Sequence, residues 1–265
     1  MKVFIDPGHG GRDRANRGPT GYVEADGTLD ISARLRYLLE KHPGIKVMMS
    51  REVDDTVSLY LRSRMANEWE ADLFVSIHTN AAASPDVGGI EIFHSDNGEW
   101  GNIFSADARK LAVFVLEELL KMTGLRNRGV KTRLVTAKGS NIYDMDYYAV
   151  IRRTKCPAIL AEIGFHTNPL EEALLKSASF RQKAAEGLAA AILNYVNYKN
   201  EYMKPDLFID VPKTHWAANA IKFVSELEQP IMSGFADDSF RPNEPVSRAQ
   251  LAIVIQRFYN LLLKK

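Results

Sequence analysis

The stretch Val3-Phe4-Ile5-Asp6-Pro7-Gly8-His9-Gly10-Gly11 decides the fold. An apolar run rich in Val, Ile and Phe is cut off by turn residues, which predicts a buried strand ending in a loop. Glycine-rich loops after strands often cradle phosphate. A phosphate loop needs a closing Lys-Ser/Thr, however, and the dinucleotide fingerprint needs G-x-G-x-x-G; neither is present. The glycines instead let the backbone turn tightly while His9 projects from the strand end. Strand ends are where open α/β sheets hold their ligands.

Working outward, strand-like runs recur at Val47–Met49, Leu73–Ile77, Gly89–Phe93 and Ala158–Ile163. Helical periods lie between them. Ile31, Leu35, Leu38 and Leu39 form one, with Asp26 or Thr28 as candidate N-caps. Val57, Leu61, Met65 and Trp69 form a second, and the stretches 103–122 and 180–198 read as two more. Strands alternating with helices predict an α/β fold with the sheet in the middle. The polar segment 198–206, which contains Pro205, reads as a linker. It separates a domain of residues 1–200 from a small, mostly helical C-terminal module of residues 206–265.

Composition narrows the function. The chain has 265 residues, 46% hydrophobic and 25% charged, with 34 basic and 33 acidic side chains and a net charge of +1. That balance gives no reason to expect nucleic acid or a membrane surface as partner. No apolar run reaches the roughly 18 residues of a membrane span. The single cysteine, Cys156, excludes an internal disulfide and a Cys-rich zinc site, so any metal falls to His, Asp or Glu. Cys156 reads as a buried, inert thiol and His42 and His94 as surface or loop residues. Met1-Lys2 leads directly into the first strand without the pattern of a secretion signal, the expectation for a phage-lysin-type release or for a chain already trimmed.

Four residues carry the chemistry. His78, in Val75-Ser76-Ile77-His78-Thr79-Asn80, ends an apolar strand as His9 does. Either histidine alone could be a turn or core residue, but two strand-end imidazoles suit a metal. Glu24 stands just before the first predicted helix. Alone it reads as a solvated loop residue. Two histidines and a glutamate, however, make a catalytic zinc set with one position open for water. Glu162 interrupts the apolar run 158–165, where a carboxylate is costly unless it is paired, functional or at a solvent-facing edge. Beside a metal-bound water it can act as general base and then as acid.

These residues resemble the zinc-dependent N-acetylmuramoyl-L-alanine amidases of the type-3 amidase family. The resemblance covers residues 2–198. It rests on Asp-Pro-Gly-His-Gly-Gly at 6–11, Glu24, Ser50-Arg51, Arg64 with Ala66-Asn67, and Ser-Ile-His-Thr-Asn-Ala at 76–81. Gly129-Val130-Lys131 and residues 157–168 complete it. It implies one Zn2+ per chain on His9, Glu24 and His78, Glu162 as the catalytic carboxylate, and a mixed, twisted sheet with helices on both faces. The reaction implied is cleavage of the amide between N-acetylmuramic acid and L-alanine in peptidoglycan. A zinc peptidase acting on stem peptides, or a non-catalytic wall-binding protein, are the alternatives. Asn80 and His166 are candidate substrate contacts; His166 stands where many members are aliphatic. The segment 136–148, long and polar, reads as a substrate-facing loop. The basic run 126–133 reads as a solvated face or a contact for acidic wall polymers.

Residues 208–262 resemble a single S-layer homology (SLH) module. Phe208-Ile209-Asp210-Val211, His215-Trp216-Ala217, Phe240-Arg241-Pro242-Asn243 and Ser247-Arg248-Ala249-Gln250 carry the match. The resemblance implies binding to a secondary cell-wall polymer, with Arg248 gripping a carboxylate and Trp216 offering a stacking face. Phe208 and Phe240 are expected to pack the module's own core. Such modules usually come in threes, so a single one implies that three chains assemble as a homo-trimer, that the module has degenerated, or that it binds weakly alone. Both resemblances imply action at the cell wall, outside the cell.

Overall fold

The computed structural model describes residues 1–202, 207–212 and 214–263. The chain divides into two compact units, Met1–Asn197 and Tyr198–Lys265.

The first unit is built on six strands: β1 (Lys2–Pro7), β2 (Lys46–Met49), β3 (Leu73–Asn80), β4 (Ile90–His94), β5 (Asn127–Lys131) and β6 (Ala158–Phe165). Their order across the sheet is β2-β1-β3-β6-β4-β5. The pairs β1–β2, β1–β3, β3–β6 and β4–β5 are parallel, and β4–β6 is antiparallel, so the sheet is mixed as expected. The helices of this unit are α1 (Glu24–Leu39), α2 (Leu59–Glu68), α3 (Ser105–Thr123), the one-turn α4 (Ala149–Arg152), α5 (Pro169–Lys176) and α6 (Ala178–Tyr202).

Strand alternation sorts the core into two faces. Phe4, Phe74, Phe93, Ala158 and Leu160 pack with Ala66 of α2 and with Val150 and Ile151 of α4. Their neighbours Val3, Ile5, Val75, Ile92 and Ile159 are fully buried on the opposite face, where α1 and α3 meet the strands. Each central strand is covered on both sides, which explains why these runs read as continuously apolar in sequence. The same alternation puts His78, Glu91 and Glu162 on the α2/α4 side, at the C-terminal ends of β3 and β6. The register pairs His78 with Glu162 and Glu162 with Glu91, so three adjacent strands present one row of polar side chains.

Several expectations are corrected. Helix α1 begins at Glu24, with Val23 as N-cap and no side-chain cap. Asp26 and Thr28 therefore lie inside the helix, and the Thr28 hydroxyl donates to Gly8 O instead. Helix α6 continues to Tyr202, so residues 198–202 are helical, and 203–206 of the expected linker lie outside the described residues. His94 is buried at the end of β4, its Nδ1 2.9 Å from Ser95 O, rather than a surface residue.

The second unit has helices α7 (Ala218–Ser225) and α8 (Arg248–Leu263). Phe208, Val211 and Ile221 form a small core with Phe240 against it. Asp210 accepts the backbone N–H groups of Phe240 and Arg241, both at 2.7 Å, pinning the turn to the start of the module. Among the described residues, no helix is long and apolar enough to cross a membrane.

Candidate active site

The Asp6–Gly11 loop is held from beneath by a buried charge network. Asp6 accepts hydrogen bonds from Ser50 (2.6 Å), Ser76 (2.8 Å) and Arg62 (2.7 Å). Burial pushes the Asp6 carboxyl up, but Arg62 and the two hydroxyls outweigh it and hold the group below its usual range. Arg62 also donates to the carbonyls of Pro7 and His9. Arg51 donates to Gly8 O at 2.8 Å and Ala25 O at 2.7 Å, tying the loop to α1. It is Arg62, not the Arg64 matched by the sequence motif, that is buried here; Arg64 is exposed. With the loop so clamped, His9 is held at a φ of 60°, a left-handed conformation that L residues seldom adopt. Gly8 has a different reason for being glycine: a Cβ there would lie 2.4 Å from the His78 ring.

The loop brings His9 beside His78 and Glu24. The two imidazole rings are edge-to-face, with centroids 5.0 Å apart. Glu24 Oε1 accepts the Thr79 N–H at 2.9 Å and lies 3.1 Å from His78 Nδ1. Glu24 Oε2 lies 3.2 Å from His9 Nε2 yet accepts no hydrogen bond, although it is buried. Burial alone would raise the Glu24 carboxyl; the two histidines reverse that and hold it far below its usual range. Burial likewise lowers His9, but Glu24 and Asp13 outweigh it and raise it. Asp13 Oδ2 lies 2.8 Å from His9 Nδ1 and so orients the ring.

One ligand atom from each of His9, Glu24 and His78 lies within 4.8 Å of the other two. Two imidazoles and one ionised carboxylate, whose buried Oε2 accepts no hydrogen bond, are a set that fits a divalent cation. The cluster opens into a cavity of about 480 Å³ lined by these three residues and by Asn80, Tyr147, Tyr148, Leu160, Glu162 and His166, among others.

Glu162 is buried in the middle of the sheet, not at a solvent-facing edge, and its Oε2 has no hydrogen-bond partner. Burial first, and then the negative charges of Glu24 and Glu91, push its carboxyl well above the usual range. Asn80 lines the cavity, but its amide is engaged, donating to Glu91 at 2.7 Å and accepting from Ala81 N–H at 2.8 Å. His166 is buried against Thr79, with Nδ1 3.0 Å from the hydroxyl and 4.0 Å from Glu24; burial lowers it. Of the long segment 136–148, Tyr147 and Tyr148 reach the cavity wall, and Arg133 lies over the Tyr147 ring at 3.7 Å.

The sequence reading missed Glu91. It accepts from Arg128 (2.9 Å) and Lys131 (2.5 Å), so part of the basic run 126–133 serves the site rather than forming a solvated face. Its signal was available: a carboxylate inside the apolar strand Ile90–His94, like Glu162 in its own strand. Cys156 is buried, its thiol pushed up to about 12, and takes no part. His42 lies outside the site and is exposed.

Both parts of the chain are similar to known proteins. The N-acetylmuramoyl-L-alanine amidase family matches residues 3–194, and the S-layer homology domain matches residues 207–252. The chain is 34% identical over 206 residues to the N-acetylmuramoyl-L-alanine amidase CwlM of Bacillus licheniformis, covering 74% of this chain and 69% of that protein. It is 33% identical over 193 residues to LytC of Bacillus subtilis strain 168, covering 73% of this chain but only 35% of LytC. The crystal structure of an N-acetylmuramoyl-L-alanine amidase from Clostridium difficile 630 superposes with a TM-score of 0.65 at 32% identity, covering 75% of this chain and 98% of that one. The six-stranded sheet and the match over residues 3–194 together make this chain a member of the N-acetylmuramoyl-L-alanine amidase family, carrying an S-layer homology domain at its C-terminal end.

Proposed function

We propose that the first unit hydrolyses the amide between N-acetylmuramic acid and L-alanine in peptidoglycan, with one Zn2+ per chain on His9, Glu24 and His78. The observation that carries this is the convergence of those three ligand atoms with the unpartnered carboxyl of Glu162 in one cavity. A zinc ion on this set supplies a Lewis acid and a water that ionises near neutral pH.

The chain's own residues do the rest. Glu162 accepts the proton of the attacking water and delivers it to the alanine nitrogen as the C–N bond breaks. Its burial and the charge of Glu91 keep it basic enough for the first step. A cation held by Glu24 would offset the repulsion from that group and so act against the upward push on Glu162. Asp13 and Thr79 hold His9 and Glu24 in place, and Asn80, fixed by Glu91, frames the cavity floor. His166 and Asn80 contact the bound substrate.

The second unit binds a secondary wall polymer, keeping the enzyme at the cell wall. Trp216 is 89% exposed, and Arg248 opens α8 in an exposed position, which leaves both available to an acidic saccharide. Helix α8 buries none of its residues, and Leu251, Ile255, Phe258, Tyr259 and Leu262 are all exposed. Exposed apolar residues along so long a helix support self-association, and a closed trimer supplies the three modules such binding uses.

Metal analysis tests the core of this proposal. Dialysed protein should bind one zinc per chain and lose wall-clearing activity with a chelator. His78→Ala should bind none. Full zinc binding by His78→Ala would sink the ligand assignment.

A further inference from the structure

A second cleft lies beside the catalytic cavity and shares a wall with it. Leu59, the first residue of α2, lines the catalytic cavity, and Tyr60 lines a separate space of about 350 Å³. In the same way Val150 of α4 faces the first space, and Arg153, which caps α4, faces the second.

The second cleft presents Tyr60 and Trp100, which are 59% and 42% exposed, together with Arg64, Arg153 and Lys155. Neither ring belongs to the core cluster on this face of the sheet. Each ring instead has a cation over it: Arg153 5.7 Å from the Tyr60 centroid and Lys155 4.2 Å from that of Trp100. The turn that bears these cations is fixed to α2, because Asn67 donates to Arg153 O at 2.8 Å and accepts the Lys155 N–H at 2.7 Å. The cleft is therefore pre-arranged, which lowers the ordering cost of binding.

Charge narrows the occupant. Arg64 pairs with Glu68 at 2.7 Å and Arg153 with Glu99 at 3.2 Å. Lys155 has no carboxylate partner among the described residues, so the cleft carries one uncompensated positive charge. A single free cation is too little for a nucleic-acid backbone, which needs a row of them. It suits a ligand with one carboxylate near a surface that can lie flat on an aromatic ring. A glycan strand bearing peptide stems has both features: sugar faces for the rings and stem carboxylates for the cation.

We propose that this cleft is a distal subsite for the glycan strand, taking a saccharide against Tyr60 and Trp100 and a neighbouring stem's carboxylate against Lys155. The proposal rests on the amidase reading, and it adds that the enzyme grips its polymer beyond the bond it cuts.

The test compares two substrates in the full-length protein: peptidoglycan stripped of secondary polymer, and a single disaccharide-peptide. Trp100→Ala and Lys155→Glu should keep the wild-type melting temperature and the wild-type rate on the small substrate. On the polymer, KM should rise about five- to tenfold with kcat unchanged, as expected for losing one stacking or ionic contact. Unchanged KM on the polymer, or equal losses on both substrates, would overturn the subsite. Absence of wild-type turnover on either substrate would overturn the amidase reading itself, and the subsite with it.

Discussion

At the scale of the residue, the site depends on carboxylates held in opposite electrical environments. Glu24 faces two imidazoles and stays ionised, whereas Glu162 faces two other carboxylates and is pushed up by burial. Environments that separate two carboxyl groups in this way separate their roles. Glu162→Gln should retain zinc and fold while losing about 10²–10⁴ in rate, the usual worth of a general base. A wall-clearing assay paired with metal analysis checks this; near wild-type clearing would remove the assigned role, and loss of zinc would make Glu162 a ligand. The sequence singled out His9, His78 and Glu162 as polar residues in or just after apolar strands, and Glu24 only in combination with the two histidines. Arg62 was not legible. It sits two positions from the Arg64 picked by motif, and only the helix geometry decides which of them points into the core.

At the scale of the element, the network around Asp6 ties β1 to the residue after β2, to β3 and to α2. Its partners come from Ser50, Ser76 and Arg62, between 44 and 70 positions away. Such a contact leaves no local pattern, which is why the sequence showed the strands but not what clamps the loop between them. Asp6→Asn should destabilise the first unit by about 3–5 kcal/mol, because it leaves the Arg62 charge buried and unpaired. The sign of the pH dependence follows from the depressed carboxyl. Its stabilising effect is complete above the ordinary Asp value near pH 3.9 and is lost as pH falls through the lower folded value. The gap between wild type and Asp6→Asn should therefore narrow below about pH 4. Thermal unfolding from pH 7 down to pH 2 measures it, and a gap that stays constant would show that Asp6 is not the group responsible. Helix boundaries were the weaker part of the sequence reading. The start of α1 carries no side-chain cap, so the N-cap rule had nothing to find at Val23.

At the scale of the whole molecule, a catalytic unit is joined to a module whose last helix leaves most of its apolar residues exposed. The sequence showed a mostly helical module but not that its last helix buries none of its residues, since burial is a property of the assembled fold. Trimer formation should be visible by light scattering at micromolar concentration. Phe258→Asp should give monomers, with zinc content and activity on small substrates unchanged. A wild-type monomer would leave α8 without the covering we assign it.

The central claim is that this chain cuts one amide in peptidoglycan with the help of zinc. Labelling the amino groups released from purified cell walls tests it most directly. New amino termini should be those of L-alanine only, with no new reducing sugar ends, and the signal should be lost with chelator and return with zinc. Reducing ends, amino termini from within the stem peptide, or release that persists without metal would contradict it.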